Sequence, residues 1–252
     1  MSVIMQKKYA IPRYGVVAAF ALFIFQHALY LLGNALAGVV GNEPFCPKTV
    51  VDSFIPVIPV FMIVYIWSYP FWFMAPMAAS LCDKEHFRRF VTAYTLALVI
   101  GGVILVVCPT SMDRVAEGLT DPSRPGPFAA LMRSWYNIDG GRYSYNLLPS
   151  FHCLNSTMAY IAVAGRPEVG KGFRCYSFVT MLLIFCATVF VKQHFFLDVV
   201  AGIGVALVSW VLVRYVFNKK SYDFLFFRHR QYKMGRKACC STLKRRVEVH
   251  PR

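Results

Sequence analysis

The chain of 252 residues is 57% hydrophobic and only 15% charged, and its formal net charge is +15 at pH 7. Soluble domains contain about 45–50% apolar and about 25% charged residues. This composition excludes a disordered chain, a secreted disulfide-rich scaffold and a water-soluble enzyme.

Six long runs without Lys, Arg, Asp or Glu follow one another along the chain and predict an all-α, multi-pass membrane protein. About 20 apolar residues cross the hydrocarbon core of a bilayer. The runs occupy residues 14–42, 53–82, 90–112, 143–165, 175–191 and 199–213. We therefore expect six transmembrane helices in a membrane domain of residues 1–217, followed by a basic tail of residues 218–252. The first run is expected to remain in the protein rather than be cleaved as a signal peptide.

The basic residues are distributed unevenly between the two sides that six helices would create. The side that carries both termini has 21 of the 27 Lys and Arg residues, and eleven of these lie in the tail. By the positive-inside rule this side is cytoplasmic, so we expect both termini in the cytoplasm of a cell-membrane protein. The tail is expected to bind anionic lipid headgroups, and its sequence has no module typical of nucleic-acid recognition.

Two parts of the chain are expected to depart from regular membrane-spanning helices: the second run and the loop of residues 110–148. Four prolines fall in the second run, which we therefore expect to be kinked or broken. Residues 110–148 form the only long loop, on the extracytoplasmic side, and an interfacial helix is predicted within it at residues 128–136. The prolines of the second run are Pro56, Pro59, Pro70 and Pro76.

Two segments with chemically reactive side chains reach the extracytoplasmic side at the same depth. One ends the long loop and opens the fourth run, and the other joins the fifth run to the sixth. Two histidines that are distant in sequence are therefore expected at one membrane surface. The segments read Asn146-Leu-Leu-Pro149-Ser150-Phe151-His152 and Lys192-Gln193-His194-Phe-Phe-Leu-Asp198.

The residue types in these segments suit phosphoryl transfer. His194 and Asp198 are four residues apart, so on a helix they share a face and the carboxylate can fix the tautomer of the imidazole. Ser150 begins a helix, and the N-terminal amides and dipole of a helix bind anions. A histidine nucleophile for phosphoryl transfer needs such partners, a second histidine and cations. Cations on the same side are Arg114, Arg124, Arg133 and Lys192.

These segments resemble the type 2 phosphatidic-acid phosphatase superfamily, which comprises integral-membrane lipid phosphatases and related lipid phosphotransferases. The family has a Lys-x6-Arg-Pro motif, a Pro-Ser-Gly-His motif and a Ser-Arg-x5-His-x3-Asp motif. The resemblance covers residues from about 109 to about 204. The second motif reads Pro149-Ser150-Phe151-His152 here, and the third extends from Ala187-Thr188 through His194 to Asp198.

The resemblance implies a role for each matching residue. His194 corresponds to the nucleophile that becomes phosphorylated, and Asp198 to the carboxylate that orients it. His152 corresponds to the acid that protonates the leaving alkoxide. Ser150 corresponds to a phosphate-binding position, and Asn146, at the start of the same segment, is a further candidate for the site. The resemblance implies no metal or other cofactor.

The first motif of the family has two candidate positions in this chain. Glu117 stands where the lysine of the motif would precede Arg124-Pro125. The alternative is Pro109-Thr110-x3-Arg114, which resembles the variant found in the branch that contains inositol-phosphoceramide and sphingomyelin synthases. We therefore prefer Arg114 over Arg124 as the phosphate-binding arginine.

The other two motifs also depart from the family pattern. Phe151 replaces the glycine of the second motif, as in the synthase-like branch. Ala187-Thr188 replaces Ser-Arg in the third motif, so one phosphate-binding arginine is missing. Lys192, two residues before the histidine, is expected to supply its charge. These departures place the chain nearer to the synthase-like branch.

The expected function is hydrolysis of a lipid phosphate or diphosphate at the extracytoplasmic face, through a phosphohistidine intermediate. One alternative is a lipid headgroup phosphotransferase that uses an alcohol as acceptor. An alternative from another class is a transporter or channel, with Gln26 and His27 near the middle of the first run as pathway residues. The sequence has no internal repeat and its ionisable side chains gather at one surface, which argues against transport.

Overall fold

Eight helices and one short two-stranded sheet make up the described part of the chain, which in this computed structural model comprises residues 10–121 and 123–216. The strands pair antiparallel, with Ser111 opposite Tyr145. A 3-10 turn at Pro59–Phe61 precedes the third helix. The elements in chain order are α1 (Arg13–Val40), α2 (Val50–Phe54), α3 (Met62–Ala79), α4 (Lys84–Val107), β1 (Ser111–Asp113), α5 (Pro127–Ile138), β2 (Tyr143–Tyr145), α6 (Phe151–Ile161), α7 (Lys171–Phe190) and α8 (Phe196–Val216).

Five helical segments have the length and hydropathy of membrane-spanning helices. They confirm a mostly helical, multi-pass integral membrane protein, with spans in the first, second, third, fifth and sixth of the predicted runs. The segments are Arg13–Leu36, Pro59–Ala79, Lys84–Val107, Lys171–Phe190 and Phe196–Val216.

In the fourth predicted span, residues 143–165, the structure has a short helix instead of a long apolar one, so the expectation of six transmembrane helices is not confirmed. This run begins with β2 and then forms α6, which has only 11 residues. Every α6 residue except Tyr160 is buried. Because both its apolar and its polar side chains are buried, α6 is surrounded by protein. The run therefore lacks charges because α6 is the buried central helix of the bundle, not because it faces lipid along a full span.

The contacts at the two ends of α6 show that it joins opposite ends of the bundle. At its start, the Ser150 N–H donates to the carbonyl of Asp198 near the beginning of α8, at 3.0 Å. Just past its end, the carbonyl of Ala162 accepts from Nε2 of His86, near the beginning of α4, at 2.9 Å. The short helix thus connects the end at which α8 begins with the end at which α4 begins.

The break predicted in the second run lies before α3 rather than within it. The segment ahead of α3 contains α2, an extended stretch and the 3-10 turn, which Pro59 opens. Pro70 and Pro76 both lie inside α3, and the helix continues past them to Ala79.

The structure has a helix, α5 over Pro127–Ile138, where the interfacial helix was predicted. Its buried residues Ala129, Met132 and Tyr136 follow one another at intervals of three and four, which places them on one helix face. The Tyr136 hydroxyl donates to the carbonyl of Val191, at the end of α7, at 2.5 Å. This face of α5 belongs to a buried apolar cluster with Met62 of α3, so α5 covers the end of the bundle.

The packing of the chain divides it after Val211. The first unit contains the elements from α1 to most of α8. The described part of the second unit is the end of α8, residues 212–216. The predicted basic tail of residues 218–252, with its expected contact with anionic lipid headgroups, lies outside the described residues.

A glycine in α8 allows this helix to approach the start of α6. A Cβ atom on Gly202 would lie 2.4 Å from the carbonyl oxygen of Ser150 and 3.1 Å from the amide nitrogen of Leu154. Both are backbone atoms of the neighbouring helix, so neither can move aside alone. The close approach therefore requires glycine at position 202, whereas a Cβ on Gly204 would meet nothing within 4 Å.

We predict that Gly202→Ala destabilises the protein by about 1–3 kcal/mol, the usual cost of overpacking a core. Gly204→Ala is the matched control, because it adds the same methyl group to the same helix in open space. Thermal unfolding in detergent should give a lower midpoint for the first variant and an unchanged or higher midpoint for the control. Equal midpoints for the two variants would contradict the close helix contact.

Candidate active site

A cavity of about 240 Å³ opens among α1, α3, α5, the start of α6 and the turn between α7 and α8. Its walls include the imidazole rings of His152 and His194. Aromatic rings form much of the remaining wall, and amide side chains and one carboxylate add polar groups. These residues are Tyr30, Tyr65, Tyr69, Trp72, Trp135 and Tyr145, with Gln26, Asn146, Gln193 and Asp139.

A second, wider cavity of about 680 Å³ adjoins the first. The two cavities share Tyr30, Asp139, Tyr145 and Asn146 in their walls. The second cavity extends to the loop after α1, at Glu43. The two cavities therefore border each other along these shared residues.

His152 is the second residue of α6, so the helix fixes its backbone position. Its imidazole stacks on the ring of Tyr65 with centroids 4.1 Å apart and meets the indole of Trp72 at 4.7 Å. The side chain is 8% exposed, and its Nε2 has no hydrogen-bond partner among the described residues. A buried polar atom without a partner costs about 1–3 kcal/mol. The geometry thus leaves Nε2 available to a ligand.

His194 lies in the turn between α7 and α8. The amides of Gln193 and His194 both donate to the carbonyl of Thr188, at 3.0 and 3.1 Å, and so hold the turn against the end of α7. Nδ1 of His194 lies 3.5 Å from Oδ2 of Asp198, which is longer than an ordinary hydrogen bond. The carboxylate nevertheless lies on the Nδ1 side of the ring, so Nε2 is the nitrogen available for attack.

Asp198 joins the two histidine-bearing segments. It is fully buried in the first turn of α8, and its Oδ2 accepts the N–H of Phe195 at 2.8 Å. Its backbone carbonyl accepts the N–H of Ser150, directly before α6. The centroids of the His152 and His194 rings are consequently only 5.8 Å apart. The structure therefore brings together the three residues that the resemblance assigned to catalysis.

Ser150 and Asn146 flank the start of α6 but face different surroundings. Ser150 is fully buried, and its Oγ accepts the N–H of Cys153 at 3.3 Å as the N-cap of α6. Asn146 lines the cavity, and its Nδ2 donates to Oδ1 of Asn34 in α1. Ser150 thus caps the helix that carries His152, whereas Asn146 contributes to the cavity wall.

Phe151 occupies the position at which the family motif has glycine. A Cβ atom on Gly101 of α4 would lie 3.0 Å from the ring of Phe151. The phenyl ring therefore packs directly on the α4 backbone, in space that the missing side chain of Gly101 leaves open. The departure from the motif is thus matched by a glycine on the neighbouring helix.

Arg114 is fully buried directly behind the cavity wall. One of its terminal nitrogens donates to three backbone carbonyls, those of Tyr136, Asp139 and Gly141. The other donates to Oδ2 of Asp139 at 2.7 Å and to Oε1 of Gln193 at 3.3 Å. Asp139 and Gln193 line the cavity. Arg114 therefore orients two wall residues and does not itself line the cavity.

Lys192 and Arg124 lie away from the cavity. The Lys192 ammonium donates to the carbonyl of Asp52 at 3.1 Å, and burial lowers the pKa of this amine from its usual range. The Arg124 carbonyl accepts from Arg133 at 2.9 Å in the segment before α5. Lys192 thus does not replace the missing arginine of the third motif at the cavity, because its side chain reaches toward Asp52 instead.

Three residues of the site had no role in the sequence-based prediction. Apart from the histidines, Asp139 is the only ionised residue at pH 7 among the described residues of the cavity wall. Asp52 is buried in α2, and its Oδ1 accepts the N–H of Phe196 at the start of α8, at 2.7 Å. No local pattern marks these carboxylates, because each acts on a partner far away in sequence. Gln193 directly precedes His194 in sequence, and this position next to the expected nucleophile could have identified it as a candidate site residue.

Comparison with known proteins agrees with this geometry. The family model of the PAP2 superfamily matches residues 48–212, about two thirds of the chain. This range includes the second and third motifs and the helices that hold them. No curated protein and no solved structure matches the chain significantly. The chain therefore belongs to the PAP2 superfamily, the type 2 phosphatidic-acid phosphatases and their relatives.

Proposed function

We propose that the protein is an integral-membrane lipid phosphatase that forms a phosphohistidine intermediate on His194. The observation that carries the proposal is the placement of two imidazoles, 5.8 Å apart, in the wall of one cavity, with Asp198 beside one of them. Membership of the PAP2 superfamily supports a phosphatase or phosphotransferase acting on lipids. The substrate is a lipid phosphate or diphosphate.

The first step transfers the phosphoryl group to the protein. Nε2 of His194 attacks phosphorus, so a nitrogen–phosphorus bond forms while the bond from phosphorus to the leaving oxygen breaks. His152, in its protonated form, gives its proton to that oxygen, and the lipid alcohol departs neutral. Asp198 stabilises the imidazolium that develops on His194.

The second step releases the phosphoryl group to water. His152, now neutral, takes a proton from a water molecule as the oxygen of that water attacks phosphorus. The nitrogen–phosphorus bond breaks, and its electron pair returns to His194. Inorganic phosphate leaves, and both histidines regain their starting protonation states. No step requires a metal ion, and no group of three or more potential metal ligands occurs among the described residues.

One observation favours the second candidate function, a lipid headgroup phosphotransferase. No Lys or Arg is among the described residues that line the cavity, and Arg114 acts from behind its wall. A phosphodiester carries one negative charge, whereas a phosphate monoester carries up to two. A wall without direct cations suits the less charged substrate. In this alternative a lipid alcohol replaces water in the second step.

The transporter alternative loses its main support in this arrangement. Gln26 and His27 line the same cavity as His152 and His194. They therefore define no separate pathway through the bundle. Their position supports a contact with the substrate of the enzyme instead.

We further propose that the cavity opens at the extracytoplasmic face of the cell membrane. The 21 basic residues assigned to the cytoplasmic side support this orientation, with six crossings if α6 and the turn after it count as one. In a variant without native cysteines, an impermeant thiol reagent should label Ile138→Cys, an exposed position near Gly140, in intact cells and miss Lys233→Cys. The opposite labelling pattern would contradict the orientation.

The proposed function predicts different effects for the two histidines. Purified protein with excess chelator should release phosphate from a panel of lipid phosphates and diphosphates, and His194→Ala should abolish this turnover. His152→Ala should slow substrates with poor leaving groups far more than those with good ones, because only protonation of the leaving oxygen is lost. Activity retained by His194→Ala would refute the proposal. New lipid formed with an alcohol acceptor would favour the transferase.

Two arginine variants complete this experiment. Arg114→Ala should lower kcat/KM by up to about 10²–10³-fold, the effect of losing a donor at the transition state, because the side chains of Asp139 and Gln193 in the cavity wall are then no longer oriented. Arg124→Ala is the comparison, because its side chain does not line the cavity, and it should cost much less. A silent Arg114→Ala together with an inactive Arg124→Ala would show that the alternative first motif was the correct one.

A further inference from the structure

The proposed function leaves open which group contacts the oxygens of the transferring phosphoryl group. No Lys or Arg is among the described residues of the cavity wall, and Ser150 caps its own helix. Two residues of the wall, however, contain a buried side-chain nitrogen without a hydrogen-bond partner in the described part of the chain. They are His152 and Gln193, in each case through Nε2. Buried polar groups are nearly always paired, so two such atoms at one cavity indicate a ligand that is bound there in function.

The amide of Gln193 is oriented by its neighbour Arg114. The side chain is 3% exposed, and its Oε1 accepts from the guanidinium of Arg114 at 3.3 Å. Arginine has only donors, so the oxygen of the amide must face Arg114. Nε2 is then directed away from Arg114 and has no partner among the described residues. The side chain therefore offers two free N–H donors beside the histidines.

The backbone of Gln193 is fixed together with that of the nucleophile. Its amide and that of His194 share one acceptor, the carbonyl of Thr188. The donor and the attacking imidazole are therefore adjacent on one rigid turn. Such an arrangement needs little reorganisation during reaction, which is the property that makes fixed donors effective in catalysis.

Arg114 is also held so that it cannot easily leave Gln193. Its guanidinium pairs with Asp139 at 2.7 Å and lies over the ring of Tyr136, 4.6 Å from the centroid. Its positive charge remains behind Gln193, where it polarises the amide and strengthens the amide as a donor.

We propose that Gln193 is a phosphate-binding residue: its Nε2 donates a hydrogen bond to a non-bridging oxygen of the phosphoryl group that moves to His194. Arg114 is the positioning residue that orients this amide. The inference rests on the proposed function, because it assigns a donor to the transition state of that reaction. It also explains how the site works although Ala187-Thr188 replaces the Ser-Arg of the family motif.

Two substitutions at Gln193 distinguish its role as a hydrogen-bond donor to the phosphate from its role as an acceptor for Arg114. Gln193→Met has a similar size but neither donor nor acceptor. Gln193→Glu keeps an acceptor for Arg114 but presents a negative charge, without donors, to the phosphate. Both variants should lower kcat/KM by about 10²–10³-fold, and inorganic phosphate should inhibit both less strongly than the unmodified protein. Phe196→Leu, an exposed side chain in the same turn, is the control and should keep full activity.

Each outcome decides between the possibilities. Full activity of Gln193→Met would overturn the proposal, and so would an active Gln193→Glu beside an inactive Gln193→Met, because Gln193 would then serve only to hold Arg114. Thermal unfolding midpoints in detergent identify a variant that fails to fold. If one Gln193 variant fails to fold, the activity of the other Gln193 variant tests the proposal. His194→Ala in the same assay separates this inference from the proposed function. If that variant stays active, the function is wrong, whereas an inactive His194→Ala beside active Gln193 variants refutes the role of Gln193 alone.

Discussion

The close packing of α8 against the start of α6 is the constraint on which the site depends. Gly202 removes the side chain that would separate the two backbones. The Ser150 N–H can then reach the carbonyl of Asp198, which lies one turn ahead of Gly202 on α8. This single backbone contact joins the segment that carries His152 to the segment that carries His194.

The distribution of hydrogen bonds around this contact distinguishes the scaffold from the reacting groups. The backbone N–H groups from Gln193 to Phe196 in the α7–α8 turn are all paired, with acceptors from Thr188, Asp198 and Asp52. The side chains of His152 and Gln193 in the cavity wall each keep an unpaired buried Nε2. Buried polar atoms that remain unpaired lower the stability of the fold. Here the backbone N–H groups are paired and the unpaired atoms lie at the cavity, where a bound ligand would supply the missing partners.

The sequence predicted the elements whose signals are local. Long uncharged runs identified the spanning helices, and the spacing of His194 and Asp198 indicated that the two side chains lie together, although His194 lies in the turn before α8 and not on the helix. Burial of α6 was not predictable, because an apolar run looks the same whether lipid or protein surrounds it. The positions of Lys192 and Arg114 depend on Asp52, Asp139 and Gln193, which are partners distant in sequence or without a motif. A count of cations on one side of the membrane could not show which of them faces the cavity.

The most direct test of this account is to identify the residue that becomes phosphorylated. Rapid quenching of the His152→Ala variant with a phosphate-labelled lipid that has a good leaving group should trap an acid-labile, base-stable phosphoprotein. Mass spectrometry should locate the label on the peptide that contains His194, and the label should be absent from His194→Ala. A label on another residue, or turnover by His194→Ala without any intermediate, would contradict the central claim.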